Sequence, residues 1–254
     1  MRTPWLSTMA AVGWLGLVGC DALDVWRPPQ PTAEEYARGL LVFYPGSSNL
    51  YVEGLGYYYG LKEAGIDMAI EIVPWSGFLT HQLFPENAQE EIRARAREEA
   101  TRIADYIRSH PDCPVTLMTY SGGALMALET AAAMPPDAPV DRVIVLSPGL
   151  WTHFDLGPAL DGTTQNVLYY WSPHERDLFE FVARNFGTAD GHFMDAAASL
   201  GFSHEDPRLI EVIWTPEMAA LGNNGGHLDY VLNFDFIKGV IAPWIITHRI
   251  GPEN

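Results

Sequence analysis

Ser121 lies at the centre of Thr119-Tyr120-Ser121-Gly122-Gly123, and its surroundings suit a nucleophile. Pro114-Val115-Thr116-Leu117-Met118 before it is β-branched and apolar, the pattern of a buried strand. Ala124 to Ala133 after it is rich in strong helix formers. A strand that turns this sharply into a helix needs small residues two before and two after the apex, because the two elements nearly collide. Thr119 and Gly123 occupy those places. The apex residue is forced into a strained backbone with its side chain exposed, and the N–H of the next residue, at the helix start, is aimed at any oxyanion formed there. That is the chemistry of acyl transfer through a serine.

Other stretches offer less. Gly54-x-Gly56-x-x-x-Gly60 has no lysine after it and falls in a helical stretch beside Tyr57-Tyr58-Tyr59, so it is not a phosphate loop. His204-Glu205-Asp206 reads as a polar turn, since adjacent residues rarely converge on one ion. The chain contains no H-E-x-x-H and no dense His/Cys cluster. Neither a metal nor a cofactor is expected.

The elements that would position Ser121 follow from hydrophobic periodicity. Thr32 is placed to cap a short helix with Glu34 and Glu35 in its first turn. Gly39–Tyr44 is a continuous apolar run, as in a strand buried on both faces of a parallel sheet. A helix over Tyr51–Ala64 should stop at Gly65, and Ile66–Trp75 is the next strand. Asn87–Ser109 carries the clearest helical stripe, Ile92, Ala96, Ala100, Ile103, Ala104 and Ile107, with Asn87 and Glu90 resembling a capping box. Its Arg/Glu run reads as a solvated face. Further strands are expected at Val143–Leu146, Asn166–Trp171 and Leu209–Thr215, with a polar and aromatic loop from Gly149 to Thr164 and a short helix at Leu178–Phe186. A final helix is expected from about Tyr230 to Ile245. This alternation predicts an α/β fold, a doubly wound and mostly parallel sheet of about six strands with helices on both faces.

Composition narrows the function classes. The 254 residues are 48% hydrophobic and 12% aromatic, enough for a sizeable core. With 15 Lys+Arg against 32 Asp+Glu, the net charge of −17 argues against a nucleic-acid partner, whose phosphates would be repelled. Residues 1–19 have the proportions of a signal peptide: Arg2 as the one charge, an apolar core too short to favour a spanning helix, then Leu17-Val18-Gly19-Cys20. That ending resembles the lipobox of bacterial lipoproteins, which implies lipidation of Cys20, export, and anchoring to a membrane of the bacterial cell envelope. Residues 20–31, with Pro28, Pro29 and Pro31, read as a tether, and 32–254 as the folded domain. Cys113 would then be the lone remaining cysteine, a small hydrophobe between helix and strand.

The elbow and the order of elements resemble the α/β-hydrolase superfamily over nearly the whole mature chain, with the first two strands of the full fold missing and Thr119 where the usual pattern has glycine. Trp171-Ser172-Pro173, Gly187-Thr188-Ala189-Asp190-Gly191 and Ile241-Ala242-Pro243 are similar to a group of bacterial hydrolase-like proteins. The resemblance implies a chain order of nucleophile, acid, then histidine. Of eight histidines only His227 and His248 follow the last strand, and His227, in a flexible turn leading into a helix, is the expected base. The acid should follow Asn166–Trp171, where Asp177 is preferred and Glu175 is the alternative; Asp155 is an outsider one strand earlier. Pro45-Gly46-Ser47 stands at the oxyanion-hole turn, so Ser47 and Gly122 are expected to donate their amides. Trp75, Phe78, Phe84, Trp151 and Phe154 are split between core packing and an apolar acyl pocket. The implied activity is hydrolysis of a carboxylic ester, with thioester or amide open, on a small-molecule or lipid-like acyl substrate. A catalytically silent envelope lipoprotein that binds or scaffolds is the alternative.

Overall fold

A computed structural model describes residues 27–76 and 85–246, the side chains of 85–88 excepted. Its centre is a six-stranded sheet of order β2-β1-β3-β4-β5-β6. The strands are β1 Leu40–Tyr44, β2 Ala69–Ile72, β3 Val115–Tyr120, β4 Val140–Leu146, β5 Thr163–Trp171 and β6 Leu209–Ile213. Every pairing is parallel.

Side-chain alternation along the strands divides the core in two, because successive residues of a strand face opposite sides. Leu40, Val42, Tyr44, Leu117, Val143 and Val145 pack on one side, against α3 (Pro85–Ser109) and α4 (Gly123–Ala132). Leu41, Phe43, Met118, Tyr120, Ile144 and Leu168 pack on the other, against α2 (Tyr51–Glu63) and the C-terminal helical segments. Both faces are therefore covered, and the central strands are mostly apolar and buried, as in parallel sheets generally.

The small helices fit their sequence signals. In α1 (Ala33–Tyr36), the Thr32 hydroxyl accepts from the Glu35 amide at 3.3 Å while the Glu35 carboxylate accepts from the Thr32 amide at 2.7 Å, a complete capping box. Helix α2 ends with Gly65 at φ +86°, a backbone that favours glycine. Its other glycines serve close packing: a Cβ on Gly54 would lie 2.6 Å from Ile72 Cδ1, and one on Gly60 2.9 Å from Ile237 Cγ2. Along α3, Ile92, Ala96, Ala100, Ile103 and Ala104 are buried while Arg93, Arg95 and Arg97 pair with Glu129, Glu98 and Glu90.

Three expectations are corrected. Helix α3 begins at Pro85, so Asn87 lies inside it and does not cap it. The segment between β4 and β5 is not all loop but contains α5 (Gly157–Asp161). The terminal helix is broken. Asn233 is extended (φ −109°, ψ 100°) between α9 (Asp229–Leu232) and α10 (Phe234–Phe236), and a π-helical turn over Ile237–Ile241 precedes α11 (Ala242–Ile246). That wider turn comes directly before Pro243, which has no N–H to give an α-helical ladder. Two further elements matter below: α6 (Arg176–Phe186), and α7 (Ala197–Leu200), which is joined to β6 by a long segment; α8 (Pro216–Ala219) follows β6. Among the described residues, no helix is long and apolar enough to cross a membrane. Cys20, Phe78, Phe84 and His248 lie outside the described residues.

Candidate active site

Strand β1 has β2 on one side and β3 on the other, so the order reverses between β1 and β3. In open parallel sheets the crevice beyond the carboxyl ends of the strands at such a switch point is where ligands bind. The Pro45–Asn49 turn follows β1 and Ser121 follows β3, so both stand at that crevice.

Ser121 has φ +54°, a left-handed backbone that costs a residue with a side chain roughly 1–2 kcal/mol. The turn is held on both sides: the Ser121 amide donates to the Leu146 carbonyl at 2.9 Å, and its carbonyl accepts from Gly149 at 3.0 Å. Packing explains the small neighbours. A Cβ on Gly123 would lie 2.6 Å from Thr119 Oγ1 and 2.7 Å from the Tyr44 carbonyl oxygen. Thr119 is tolerated at the elbow because its hydroxyl is satisfied in that same space, donating to the Tyr44 carbonyl at 3.1 Å. A Cβ on Gly122 would collide with Ser47 Oγ and lie 3.5 Å from the Ser47 nitrogen, so the 47 and 122 backbones meet beside the serine.

His227 Nε2 is 3.0 Å from Ser121 Oγ. Its other ring nitrogen, Nδ1, is 2.7 Å from Glu175 Oε2. The imidazole packs over Tyr120 (centroids 4.7 Å apart) and edge-on to Phe179 (4.9 Å), and the Tyr120 hydroxyl donates to the His227 carbonyl at 3.0 Å. The turn that carries it is fastened rather than flexible, contrary to expectation. Asn223 is fully buried; its side-chain oxygen accepts from the Gly225 amide at 2.8 Å and its carbonyl from Trp214 Nε1 at 2.8 Å. The Asp229 carboxylate accepts from the Asn224 and Gly226 amides, each at 3.0 Å. Gly225 is left-handed at φ +84° and approaches Ser172 and His174 too closely to carry a Cβ.

The preferred acid, Asp177, is not the residue that meets the histidine. It lies exposed in the first turn of α6. Glu175 closes a 3-10 turn over Pro173–Glu175, capped by the Ser172 hydroxyl, and is 1% exposed. Two residues apart on a helical turn project to different sides, so only one of the pair can reach inward. The extra methylene of glutamate spans the remaining gap. Asp155 is also elsewhere: it is exposed and accepts from the Gly157 amide at the start of α5.

Ser147 is a participant that the sequence reading passed over. It is fully buried at the end of β4 with φ +50°, its hydroxyl donating to Glu175 Oε2 at 2.6 Å and lying 2.8 Å from His227 Nδ1. The signal available was Ser147-Pro148 directly after a buried strand, which marks a turn but not its direction. The other carboxylate oxygen, Glu175 Oε1, has no partner among the described residues, so Ser147 and His227 are the groups that meet the charge.

A cavity of ≈ 30 Å³ opens beside Ser121, lined by Ser47, Gly122 and Gly149 on one side and by Phe179, Val182 and Ala183 of α6 on the other. Of the aromatic residues divided between core and pocket, the three that are described, Trp75, Trp151 and Phe154, do not line this cavity. Trp75 is buried and donates through Nε1 to the Pro45 carbonyl at 2.8 Å, a strut under the Pro45–Asn49 turn. Trp151 stacks on His192, and Phe154 packs against the core. Among the described residues no group of three or more His, Cys, Asp or Glu is placed to hold a metal ion.

No protein-family model matches the sequence, and no curated protein does. Solved structures do. Lipase B of Aspergillus fumigatus superposes with a TM-score of 0.52 at 13% identity, over 93% of this chain and 59% of that one. The chain thus spans less than two thirds of that lipase's length. A predicted CIB-like hydrolase from Thermoplasma acidophilum gives 0.47 at 15% identity over 85% and 88% of the two chains. The esterase domain of a Rhodothermus marinus protein gives 0.48 at 12%, over 85% and 89%. Six parallel strands that reverse order beside a strained serine, with 93% of this chain superposing on the lipase, give this chain the α/β-hydrolase fold.

Proposed function

We propose that the protein is a serine hydrolase that cleaves carboxylic esters through an acyl-enzyme. The supporting observation is the line of contacts from Ser121 Oγ to His227 Nε2 at 3.0 Å and from His227 Nδ1 to Glu175 Oε2 at 2.7 Å. His227 takes the Ser121 proton as the Oγ–carbon bond forms. Glu175, with Ser147 against it, holds the ring in the tautomer that leaves Nε2 free to accept and favours the imidazolium that results. The Ser47 and Gly122 amides receive the oxyanion, the second of them at the start of α4 where the helix dipole adds to it. Collapse breaks the bond to the leaving alcohol, which takes the proton from His227. Water then repeats the sequence and releases the acid and Ser121.

The cavity of ≈ 30 Å³ beside Ser121 is small, and Phe179, Val182 and Ala183 of α6 are among its walls. That room fits the small end of the expected substrate range, a short acyl group with a leaving alcohol that extends outward. A series of p-nitrophenyl esters of graded chain length tests this. Turnover should be highest for acetate or propionate and should fall with chain length. A rate that climbs toward the longest chains would contradict the short-acyl assignment.

A further inference from the structure

Glu53 is an acidic side chain at the crevice that the mechanism above does not use. It projects from the first turn of α2 into the Pro45–Asn49 turn, where its Oε2 accepts the Gly46 amide at 2.7 Å. The Ser48 hydroxyl also bonds to it. Space there is tight. A Cβ on Gly46 would lie 3.3 Å from Glu53 Oε2, 3.2 Å from Ser121 Cβ and 3.1 Å from Tyr120 Cδ1. Glu53, the turn and Ser121 are therefore close neighbours, with too little room at position 46 for a side chain to enter without displacing one of them.

The rest of the turn is tied from other directions. Asn49, left-handed at φ +56°, donates its amide to the Gly46 carbonyl at 2.8 Å, and its side chain accepts from the Trp75 amide at 2.7 Å and donates to the Ser76 carbonyl. Trp75 holds the Pro45 carbonyl. The Pro45 carbonyl and the Gly46 amide belong to one peptide unit, which Trp75 holds at its oxygen and Glu53 at its N–H. The next unit, which carries the Ser47 N–H, is held at the Gly46 oxygen by Asn49, so Glu53 acts on the Ser47 amide through the adjoining plane.

We propose that Glu53 is a positioning residue of the oxyanion hole: by holding the Gly46 amide it aims the Ser47 amide at the carbonyl oxygen of a bound ester. The assignment rests on the hydrolase reading. It does not rest on charge, because a carboxyl oxygen accepts the Gly46 amide whether or not the group is ionised. Binding of the ground-state ester should depend little on Glu53, since the oxyanion exists only past the ground state.

Three full-length variants test this against wild type with p-nitrophenyl acetate and a fluorophosphonate probe. Glu53→Ala removes the bond to Gly46 and should lower kcat about 10- to 100-fold with KM within about threefold, less than the loss of an oxyanion donor itself. Glu53→Gln keeps an acceptor oxygen at the same reach and should recover the rate to within about threefold of wild type. Glu53→Asp keeps the carboxyl group but withdraws it by one methylene, and should lose rate as the alanine variant does, which carries the test should the alanine variant fold poorly. Equal rates in wild type, Asp and Ala variants would overturn the assignment, as would a glutamine variant as slow as alanine or a change confined to KM. A wild-type chain that neither hydrolyses the ester nor takes the probe overturns the hydrolase reading itself, and the role of Glu53 with it. A labelled wild type with unchanged Glu53 variants overturns Glu53 alone.

Discussion

Glu175 and Asp177 stand on one short turn, and the structure orients Glu175 to the imidazole through a 3-10 turn that buries it and leaves Asp177 in water. If Glu175 fixes the His227 tautomer, Glu175→Gln should lower kcat by about 10³- to 10⁴-fold, or roughly 4–5.5 kcal/mol in the barrier. Asp177→Asn should stay within about twofold of wild type, because an exposed carboxylate contributes weak, screened electrostatics. Steady-state kinetics of the two near-isosteric variants decide the matter, and the opposite pattern would restore Asp177. Ser121 and His227 were readable from residue type, order and the strand–turn–helix frame. The choice between the two carboxylates was not, because it depends on how tightly the chain winds after Trp171. Nor was Ser147, whose hydroxyl matters only because β4 ends beside β5. A second residue-scale consequence concerns pH. Burial pushes the Glu53 carboxyl above its ordinary value, with Ser48, Gly46 and His227 pulling it back only in part. The fold thus favours the neutral form: the stability this group contributes is fully present below the ordinary carboxylate range and is lost as pH rises through the raised value. Glu53→Gln, which cannot titrate, should gain in melting temperature relative to wild type between pH 4 and pH 8. A difference that is constant with pH, or that shrinks, would contradict the burial of this carboxyl.

At the scale of elements, the site depends on α2 approaching the C-terminal segments closely enough to brace the histidine turn. Tyr57 donates its hydroxyl to the Tyr230 carbonyl, and a Cβ on Gly56 would run into the Val231 carbonyl oxygen. Both partners are on α9, which begins two residues after His227. Gly56→Ala should therefore cost about 1–3 kcal/mol of stability, the range for overpacking a tight contact. Urea denaturation would show it as a lower midpoint at unchanged slope, and an unaltered midpoint would mean that α9 yields freely. The strands were legible in the sequence because burial on both faces leaves runs such as Leu40–Tyr44 with no polar residue. The broken C-terminal helix was less so. Its apolar positions continue a helical pattern, whereas the interruption depends on the extended backbone of Asn233 and on a π-helical turn before Pro243, neither of which periodicity records. The glycines of α2 were placed correctly in a helix, but their reason, contact with Ile72, Val231 and Ile237, exists only in three dimensions.

At the scale of the whole molecule, the parallel sheet places two loops distant in sequence at one switch point, and later loops bring an imidazole and a buried carboxylate to it. The fold could be anticipated because alternating elements and a parallel sheet admit few connections. The lining of the cavity could not, since Phe179, Val182 and Ala183 read in sequence simply as the apolar stripe of a short helix. The central claim is that Ser121 is a nucleophile activated by His227, and the most direct test is the site of covalent reaction with a fluorophosphonate. The full-length protein is incubated with the probe, digested, and the modified peptide is sequenced by mass spectrometry, alongside Ser121→Ala and His227→Ala. The account predicts one adduct per chain, on Ser121, absent in Ser121→Ala and slowed by at least about 10³-fold in His227→Ala. An adduct on another residue, or a wild-type chain that stays unmodified while folded, would contradict it.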